Sequence, residues 1–325
     1  MEPYSAGYIN GNYIVNISRF KTVFETREFV SLRVNENLIP SFPDSIDLKI
    51  TNKCSWGCSF CHESSGPKGK TFNLENTKRI LDKLPSIPIE IAIGGGNIFE
   101  CFPKFRELYD YILSKNMCPR FTVNVKDLLD KNKYDLITEL SQSSSYSPTI
   151  GISISNKQDF INFSKLIHPF GGIPLHTVFH VIVGIFPHED FLEIIENQNI
   201  TALNKFLILG YKQFGRASGT EIKDLDNWKS MIPKIMYKNR NVIGSSLTIG
   251  FDNLAVDQLE IKNCLLKDEW DSYFLGQDFS HTMYVDAVEE TFAPTSRSPH
   301  EDRVKWSEFD YNIVDYFNKY KKIWN

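Results

Sequence analysis

Three of the chain's cysteines are crowded into one short stretch. Cys54, Cys58 and Cys61 have the spacing C-x3-C-x2-C, although the whole sequence contains only 6 cysteines. Three thiolates on one short loop can bind three irons of a cubic [4Fe-4S] cluster and leave the fourth iron open to another ligand. Gly57 provides the backbone freedom that such a tight loop requires.

Two other interpretations of these cysteines stay open at this point. His62 would complete a Cys3His zinc site, although adjacent residues such as Cys61 and His62 are an awkward pair for one tetrahedral ion. Short structural zinc sites also usually combine two C-x2-C halves. The remaining alternative is a chance grouping of small buried residues. The spacing alone favours the cluster over zinc, and zinc over coincidence.

The loop lies within a regular alternation of strand and helix patterns. It directly follows an apolar strand that is predicted over residues 45–51. The further predicted strands are 89–93, 121–125, 149–154, 175–185, 206–209 and 246–249, and the helices are 74–84, 102–114, 133–140, 159–167, 191–196, 225–237 and 254–262. This rhythm predicts an α/β fold, a full or partial (β/α) TIM-type barrel, in which reactive groups lie at the C-terminal ends of the strands.

Two segments that flank the alternation differ from it. Residues 1–44 are predicted to form a short β-rich N-terminal extension, and residues 45–263 the barrel core. Residues 264–325 are predicted to be a C-terminal extension that contains a hairpin over 282–293 and an aromatic, charged helical tail. The lone Cys101, Cys118 and Cys264 are expected to be small core residues.

The composition is that of an ordinary globular protein. Hydrophobic residues make up 42% of the chain, and the net charge is −4. A negative net charge does not indicate a protein that binds nucleic acid over a large surface, although it leaves room for a local basic strip. No stretch approaches the ~20 apolar residues of a membrane span, and the N-terminus lacks a signal-peptide pattern. We therefore expect a cytoplasmic protein without a membrane partner. In that reducing compartment, crowded cysteines indicate metal or redox chemistry rather than disulfides.

The cysteine loop resembles the signature of the radical SAM superfamily, in which an aromatic residue, here Phe60, precedes the last cysteine. The stretches DLKITNKC, IAIGGGN and FDNLA also resemble uncharacterised phage-associated radical SAM proteins. The resemblance implies an oxygen-sensitive enzyme whose cluster, on Cys54, Cys58 and Cys61, binds S-adenosylmethionine at its open iron. One electron from a flavodoxin- or ferredoxin-type reductant would cleave that molecule and yield a 5′-deoxyadenosyl radical, which abstracts hydrogen from the substrate.

The same resemblance implies cofactor contacts at the ends of later strands. Gly95, Gly96 and Asn97 match the family's Gly-Gly-Glu-Pro segment, with Asn97 in place of the glutamate. Asn97 can accept a hydrogen bond from the methionine ammonium, but without ionic support. The other expected cofactor-binding residues are Phe60, Asn124, Ser153, Ser155, Ile182, Gly184, Leu209 and Gly210. For the polar members, the alternative is an ordinary capping or solvated side chain.

The substrate is not defined by the sequence, and no catalytic residue beyond the cluster ligands is predicted. The hairpin over residues 282–293 looks like that of peptide-modifying relatives without its cysteines, which favours a peptide or protein substrate. A nucleoside or nucleotide is the alternative, in which case Lys212 and Arg216 would bind phosphate. The alternative from another class is a non-catalytic zinc-binding module.

Overall fold

The computed structural model describes most of the chain, namely residues 4–20, 22–29, 39–142, 149–167, 176–196, 203–240, 247–274 and 276–322. The strands are β1 Tyr4–Asn10, β2 Tyr13–Phe20, β3 Thr22–Phe29, β4 Ser45–Thr51, β5 Glu90–Gly95, β6 Cys118–Asn124, β7 Thr149–Ser153, β8 His176–Ile182, β9 Lys205–Leu209, β10 Thr248–Phe251, β11 Thr282–Asp286, β12 Thr291–Ala293 and β13 Val304–Lys305. The α-helices are α1 Leu74–Leu81, α2 Phe102–Ser114, α3 Val125–Leu128, α4 Lys131–Gln142, α5 Lys157–Ile167, α6 His188–Glu196, α7 Leu225–Arg240, α8 Asn253–Gln258, α9 Lys267–Tyr273 and α10 Ile313–Tyr320.

The chain folds as two compact units. The first consists of Met1–Ser55, Ser65–Arg120 and Gly276–Asn325, and the second of Trp56–Ser64 and Phe121–Leu275. The predicted boundaries at residues 44 and 263 stay predictions.

In the first unit, β4 pairs in parallel with β5 on one side and with β11 on the other, and β12 and β13 continue antiparallel from β11. Alternate residues of β4, namely Ile46, Leu48 and Ile50, are buried and form part of the core. The strands β1, β2 and β3 form a separate antiparallel sheet. A two-residue turn after Asn10 connects β1 to β2, and Gly11 in this turn has a φ of 61°.

A buried group of charges connects β4 and β11 to the C-terminal segment of the first unit. The ammonium group of Lys49 lies 2.9 Å from the carboxylate of Asp286, and the guanidinium group of Arg303 lies 3.0 Å from the same oxygen. The other oxygen of Asp286 accepts hydrogen bonds from the backbone N–H groups of Val288 and Glu289, both at 3.0 Å. The last residue of β11 is therefore both an ion-pair partner and the cap of the β11–β12 turn.

In the second unit, β6, β7, β8, β9 and β10 lie side by side in that order and run parallel. One face of these strands is covered by helices: Phe160 of α5 lies with its ring centroid 4.9 Å from Phe179 of β8 and 6.0 Å from Phe206 of β9. The indole N–H of Trp228 in α7 donates to the carbonyl of Phe186 at 3.1 Å. These contacts bury one face of the strands and leave their carboxyl ends to the loops.

The sheet is mostly parallel and open. Among the described residues, β10 and β13 pair with another strand on one side only, so the strands do not close into a full barrel. The prediction of an α/β fold with a partial TIM-type barrel is confirmed. Every helix within the described part of the chain is too short or too polar to cross a bilayer.

Candidate functional site

The cysteine loop begins directly at the end of β4, and its first residues are fixed within the first unit. The backbone N–H of Cys54 donates to the carbonyl of Gly66 at 3.0 Å. The N–H of Ser55 donates to the carboxylate of Glu100 at 2.6 Å. Cys54 is half-buried. These hydrogen bonds fix the backbone of Cys54 directly after the end of β4.

The rest of the loop belongs to the second unit and is held there by a tryptophan. The indole N–H of Trp56 donates to the buried carboxylate of Asp127 at 2.8 Å, and Lys133 contacts the other oxygen of that carboxylate. Gly57 follows with a φ of 63°, a conformation that favours glycine, although a Cβ would find open space there. Glycine is therefore required at this position by the backbone turn and not by crowding.

Cys58 and Cys61 form one turn of this loop. The N–H of Cys61 points to the carbonyl of Cys58 at 3.3 Å, and the N–H of Ser64 donates to the carbonyl of Cys61 at 3.2 Å. Both cysteines and Phe60 between them are half-buried, and both cysteines are thiols rather than disulfides. Partly accessible soft ligands on a short turn suit an iron–sulfur cluster.

The second unit gives no support to a zinc site at this turn. Tetrahedral zinc holds sulfur and nitrogen ligands at about 2.0–2.3 Å, which brings the ligand atoms within about 4 Å of one another. Among the described residues, Cys58, Cys61 and His62 do not form a group whose ligand atoms all lie within 4.8 Å. The Nε2 atom of His62 lies 3.5 Å from the carboxylate of Glu63. The cluster on Cys54, Cys58 and Cys61 and the alternative zinc site with His62 both stay predictions.

The predicted glycine segment packs against the backbone that leads into the cysteine loop. A Cβ on Gly95 would lie 2.4 Å from the carbonyl oxygen of Thr51, and one on Gly96 would lie 2.2 Å from that of Lys53. The N–H of Asn97 donates to the carbonyl of Lys53 at 2.8 Å, and its side-chain oxygen accepts from the N–H of Phe99 at 3.0 Å. The glycines thus permit close backbone contact, and Asn97 caps a short 3-10 helix.

In the second unit, the remaining predicted residues lie at the carboxyl ends of neighbouring strands. Asn124 of β6 is paired in register with Ser153 of β7, and Ile182 of β8 is paired with Leu209 of β9. The side chain of Asn124 accepts from the N–H of Lys126 at 3.0 Å and caps α3. The structure therefore brings Asn124 and Ser153 together, and separately Ile182 and Leu209.

Three further predicted residues follow these strand ends. The N–H of Ser155 donates to the carboxylate of Asp159 at 3.0 Å. Gly184 has a φ of 79°, and a Cβ there would lie 3.0 Å from the carbonyl oxygen of Lys223. Gly210 donates its N–H to Asp252 at 2.9 Å. The φ and the crowding explain the glycine at position 184, whereas the hydrogen bonds of Ser155 and Gly210 come from backbone N–H groups and do not depend on the side chain. The roles of all three in cofactor binding stay predictions.

A histidine beside these strand ends was not predicted as a site residue. A Cβ on Gly151 would lie 2.4 Å from Cε1 of His180 and 2.8 Å from the hydroxyl oxygen of Thr122, so the imidazole lies over the space that a side chain on Gly151 would occupy. Burial lowers the pKa of His180 to about 4, and the ring is therefore neutral near pH 7. In the sequence, His180 could have been found from a glycine that lies beside polar residues of the neighbouring strands. Which residues lie beside that glycine is known only once the register of the strands is known.

Of the cysteines outside the loop, Cys101 and Cys118 are buried as expected, whereas Cys264 is half-buried, so the expectation that it is a core residue is wrong. Burial raises the pKa of the Cys101 thiol to about 11, so this sulfur stays protonated and is a poor metal ligand.

Another group of donor atoms is formed by His188, Glu189 and Asp224, with His188 Nδ1 lying 2.7 Å from Asp224. The N–H of His188 also donates to Asp224 at 3.1 Å. These contacts describe a hydrogen-bonded pair of His188 and Asp224 at the start of α6.

Solved structures are similar to this chain at the level of the fold. Streptococcus suis SuiB bound to S-adenosylmethionine matches with a TM-score of 0.62 and 17% identity, over 85% of this chain and 66% of SuiB. SuiB bound to the precursor peptide SuiA matches with a TM-score of 0.64 and 16% identity, over 86% of this chain and 65% of SuiB. The protein anSMEcpe with bound AdoMet matches with a TM-score of 0.53 and 13% identity, over 83% of this chain and 78% of anSMEcpe.

These similarities show the fold alone, an open, mostly parallel α/β sheet like that of the solved SuiB and anSMEcpe structures. This chain spans just under two thirds of the length of SuiB. The sequence matches no protein-family model and no curated protein at a significant level.

Proposed function

We propose that this protein is a radical SAM enzyme that reductively cleaves S-adenosylmethionine at a [4Fe-4S] cluster held by Cys54, Cys58 and Cys61. The observation that carries the proposal is the position of this C-x3-C-x2-C loop, directly at the carboxyl end of β4 in a fold similar to that of S-adenosylmethionine-bound SuiB. When bound, the cluster and S-adenosylmethionine would supply a 5′-deoxyadenosyl radical for hydrogen abstraction from the substrate.

The chain's own residues would hold and shield these groups. The three thiolates would bind three irons, and the close packing of Gly95 and Gly96 against the entry to the loop would keep that entry in place. The capping asparagines at the ends of β5 and β6, Asn97 and Asn124, would present amide groups to the cofactor while they fix the turns. Strand ends that exclude water protect a reactive radical from side reactions.

We propose a peptide or protein as the substrate. Two features support this class: SuiB, which has a similar fold, has been solved with the precursor peptide SuiA, and the β11–β12 hairpin occupies the C-terminal region in this chain. The reductant would be a flavodoxin- or ferredoxin-type protein, because cleavage of S-adenosylmethionine requires one electron.

The cofactor part of the proposal is tested by anaerobic reconstitution. The wild-type protein should be brown, absorb near ~400 nm and bind roughly four irons per chain, and dithionite with S-adenosylmethionine should then release 5′-deoxyadenosine. Cys58→Ala should abolish both iron binding and release. Cys264→Ala, which removes a half-buried cysteine outside the loop, should retain both. A colourless protein that binds one zinc would contradict the proposal.

The substrate class is tested separately by the rate of 5′-deoxyadenosine release. A library of random decapeptides should increase this rate over the uncoupled rate and should itself lose or exchange hydrogen, detected by mass spectrometry. A mixture of ribonucleosides and their 5′-monophosphates is the matched comparison. Stimulation by the nucleoside mixture alone would overturn the peptide assignment while leaving the cofactor assignment intact.

A further inference from the structure

A segment that follows β9 contacts the part of the cysteine loop that carries Cys58 and Cys61. The backbone N–H of Arg216 donates to the carbonyl of Cys61 at 3.1 Å, and the Nε of its guanidinium group donates to the carbonyl of Cys58 at 2.8 Å. Arg216 thus contacts the main chain of two of the proposed cluster ligands. Both contacts lie within the second unit.

Gly215 allows this segment to approach the loop closely. Its φ is 56°, which favours glycine, and a Cβ would lie 2.4 Å from the carbonyl oxygen of His62 and 2.7 Å from the hydroxyl oxygen of Ser64. Any other residue would have to move the segment away from the loop. Gly215 therefore allows the close approach that the hydrogen bonds from Arg216 to the cysteine loop require.

The segment is fixed at both ends, so it can define the position of the loop. The side chain of Gln258 accepts from the N–H of Tyr211 at 2.8 Å and donates to the Tyr211 carbonyl at 3.0 Å. At the other end, Ala217 is fully buried. The arginine is therefore presented from an ordered backbone, while the guanidinium group itself lies near the surface.

The carbonyl of Cys58 receives two donors, the N–H of Cys61 at 3.3 Å and the Nε of Arg216 at 2.8 Å. The shorter bond comes from a charged donor, and such bonds are stronger than those between neutral groups. The guanidinium group also places a permanent positive charge beside the turn. Charge and hydrogen bonds around a cluster are among the factors that set its reduction potential.

We propose that Arg216 is a positioning residue of the cluster: it fixes the Cys58–Cys61 turn and, through its charge, raises the reduction potential of the bound cluster. The effect of Arg216 on the reduction potential rests on the proposed function, whereas its effect on the position of the Cys58–Cys61 turn does not. The sequence suggests a different role for Arg216, that of binding a substrate phosphate; because its Nε donates to the Cys58 carbonyl, that role would fall to the other guanidinium N–H groups.

Hydrogen exchange on the cluster-free protein tests the structural part. In Arg216→Ala, the amides of residues 58–64 should exchange about tenfold faster than in the wild type, because the loss of a charged hydrogen bond allows the turn to open. Peptides from β8 should be unchanged. Lys234→Ala, which removes one exposed positive charge from α7 of the same unit, is the matched control and should change neither region. Unchanged exchange of residues 58–64 in Arg216→Ala would overturn the proposal.

A redox titration of the reconstituted protein tests the electrostatic part. The midpoint potential should become more negative in Arg216→Ala. It should stay near that of the wild type in Arg216→Lys, which keeps the positive charge but loses the planar guanidinium group, and also in Lys234→Ala. An unchanged potential in Arg216→Ala would show that the residue is only structural and would overturn this part. If the wild type takes up no cluster, the proposed function fails, and hydrogen exchange still decides whether Arg216 fixes the turn.

Discussion

At the scale of single residues, the glycines of the predicted cofactor segment are explained by contacts between backbones. Gly96 packs against the carbonyl of Lys53, where a Cβ would approach to 2.2 Å, whereas a Cβ on Gly94, two residues earlier, would meet no atom within 4 Å. Gly96→Ala should therefore lower the free energy of unfolding by about 2 kcal/mol, because two backbone segments must separate.

Gly94→Ala is the matched control for Gly96→Ala. It should be neutral or stabilise the protein by about 0.5 kcal/mol, since the new methyl group meets open space and the unfolded chain loses freedom. Urea unfolding of both variants measures the difference. Equal stabilities would show that the contact between Gly96 and Lys53 is not tight in solution.

Asn124 has a structural role and a predicted cofactor role, and these can be separated. Serine also caps helices well, so Asn124→Ser should retain the cap of α3, whereas Asn124→Ala should destabilise the protein by about 1 kcal/mol. Both variants lack the amide and should bind S-adenosylmethionine about tenfold more weakly after reconstitution, if one hydrogen bond is lost. Wild-type affinity in Asn124→Ser, measured by equilibrium dialysis, would restrict Asn124 to capping.

His180 predicts a pH dependence of stability. Its pKa in the folded protein is about 4, below the ordinary value of 6.5, so the unfolded chain binds more protons between these two values. The contribution is therefore fully present above about pH 6.5 and is lost as the pH falls towards 4. Because the residue keeps some exposure to solvent, we expect about 2 kcal/mol.

The variant His180→Gln isolates this contribution, since glutamine does not titrate. The wild type should lose about 2 kcal/mol more stability than the variant between pH 6.5 and pH 4. Urea unfolding at several pH values measures the two curves. Parallel curves would mean that the imidazole is as well solvated in the folded protein as in the unfolded chain.

At the scale of elements, the buried charges of Asp286, Lys49 and Arg303 join β11 and the C-terminal segment to β4. Asp286→Asn keeps the shape and the turn cap but leaves two buried cations without their carboxylate, so stability should fall by about 3 kcal/mol or more. Asp310→Asn, which breaks an exposed pair with Arg79, is the control and should cost less than about 1 kcal/mol. Similar losses in the two variants would contradict the importance of the buried group.

Much of this element order was predictable from the sequence, because burial follows a period that the residue types display. The predicted strand 45–51 is β4, the predicted helix 102–114 is α2, and the hairpin over 282–293 is formed by β11 and β12. Helix ends were less accurate: the helix predicted over 191–196 begins at His188. Residues 175 and 246, at the ends of two predicted strands, lie outside the described part of the chain.

The parallel pairing of β11 with β4 was not predicted. The alternating pattern of TMYVDAVEETFA is the same for an isolated hairpin and for a hairpin whose first strand joins a larger sheet. Pairing between strands that lie far apart in the sequence leaves no local signal. The same reason explains why the contact of Arg216 with Cys58 and Cys61 was missed, since it depends on loops from different parts of the sequence.

At the scale of the whole molecule, the two compact units are not two consecutive halves of the chain. The first unit is built from three chain segments, and the second from two. A periodic pattern reports which residues are buried but not which segments fold together, so the sequence alone does not indicate that each unit combines separate segments. Each unit nevertheless contains part of the alternating strand–helix pattern that the sequence displays.

Loading the proposed cluster should stabilise the whole protein. A ligand that binds only the folded state raises stability by mass action, and a cluster would need the three thiolates of the C-x3-C-x2-C loop to be brought together by folding. We expect anaerobic reconstitution to raise the melting temperature by about 5 °C or more, and chelation of the iron to reverse the gain. Scanning calorimetry of loaded and stripped protein under nitrogen measures the change. Cys58→Ala should show no gain, whereas Cys264→Ala should show the gain of the wild type, because Cys264 lies outside the loop. An equal gain in Cys58→Ala would mean that iron stabilises the protein at another place, and the assignment of the loop as the cluster site would then be wrong.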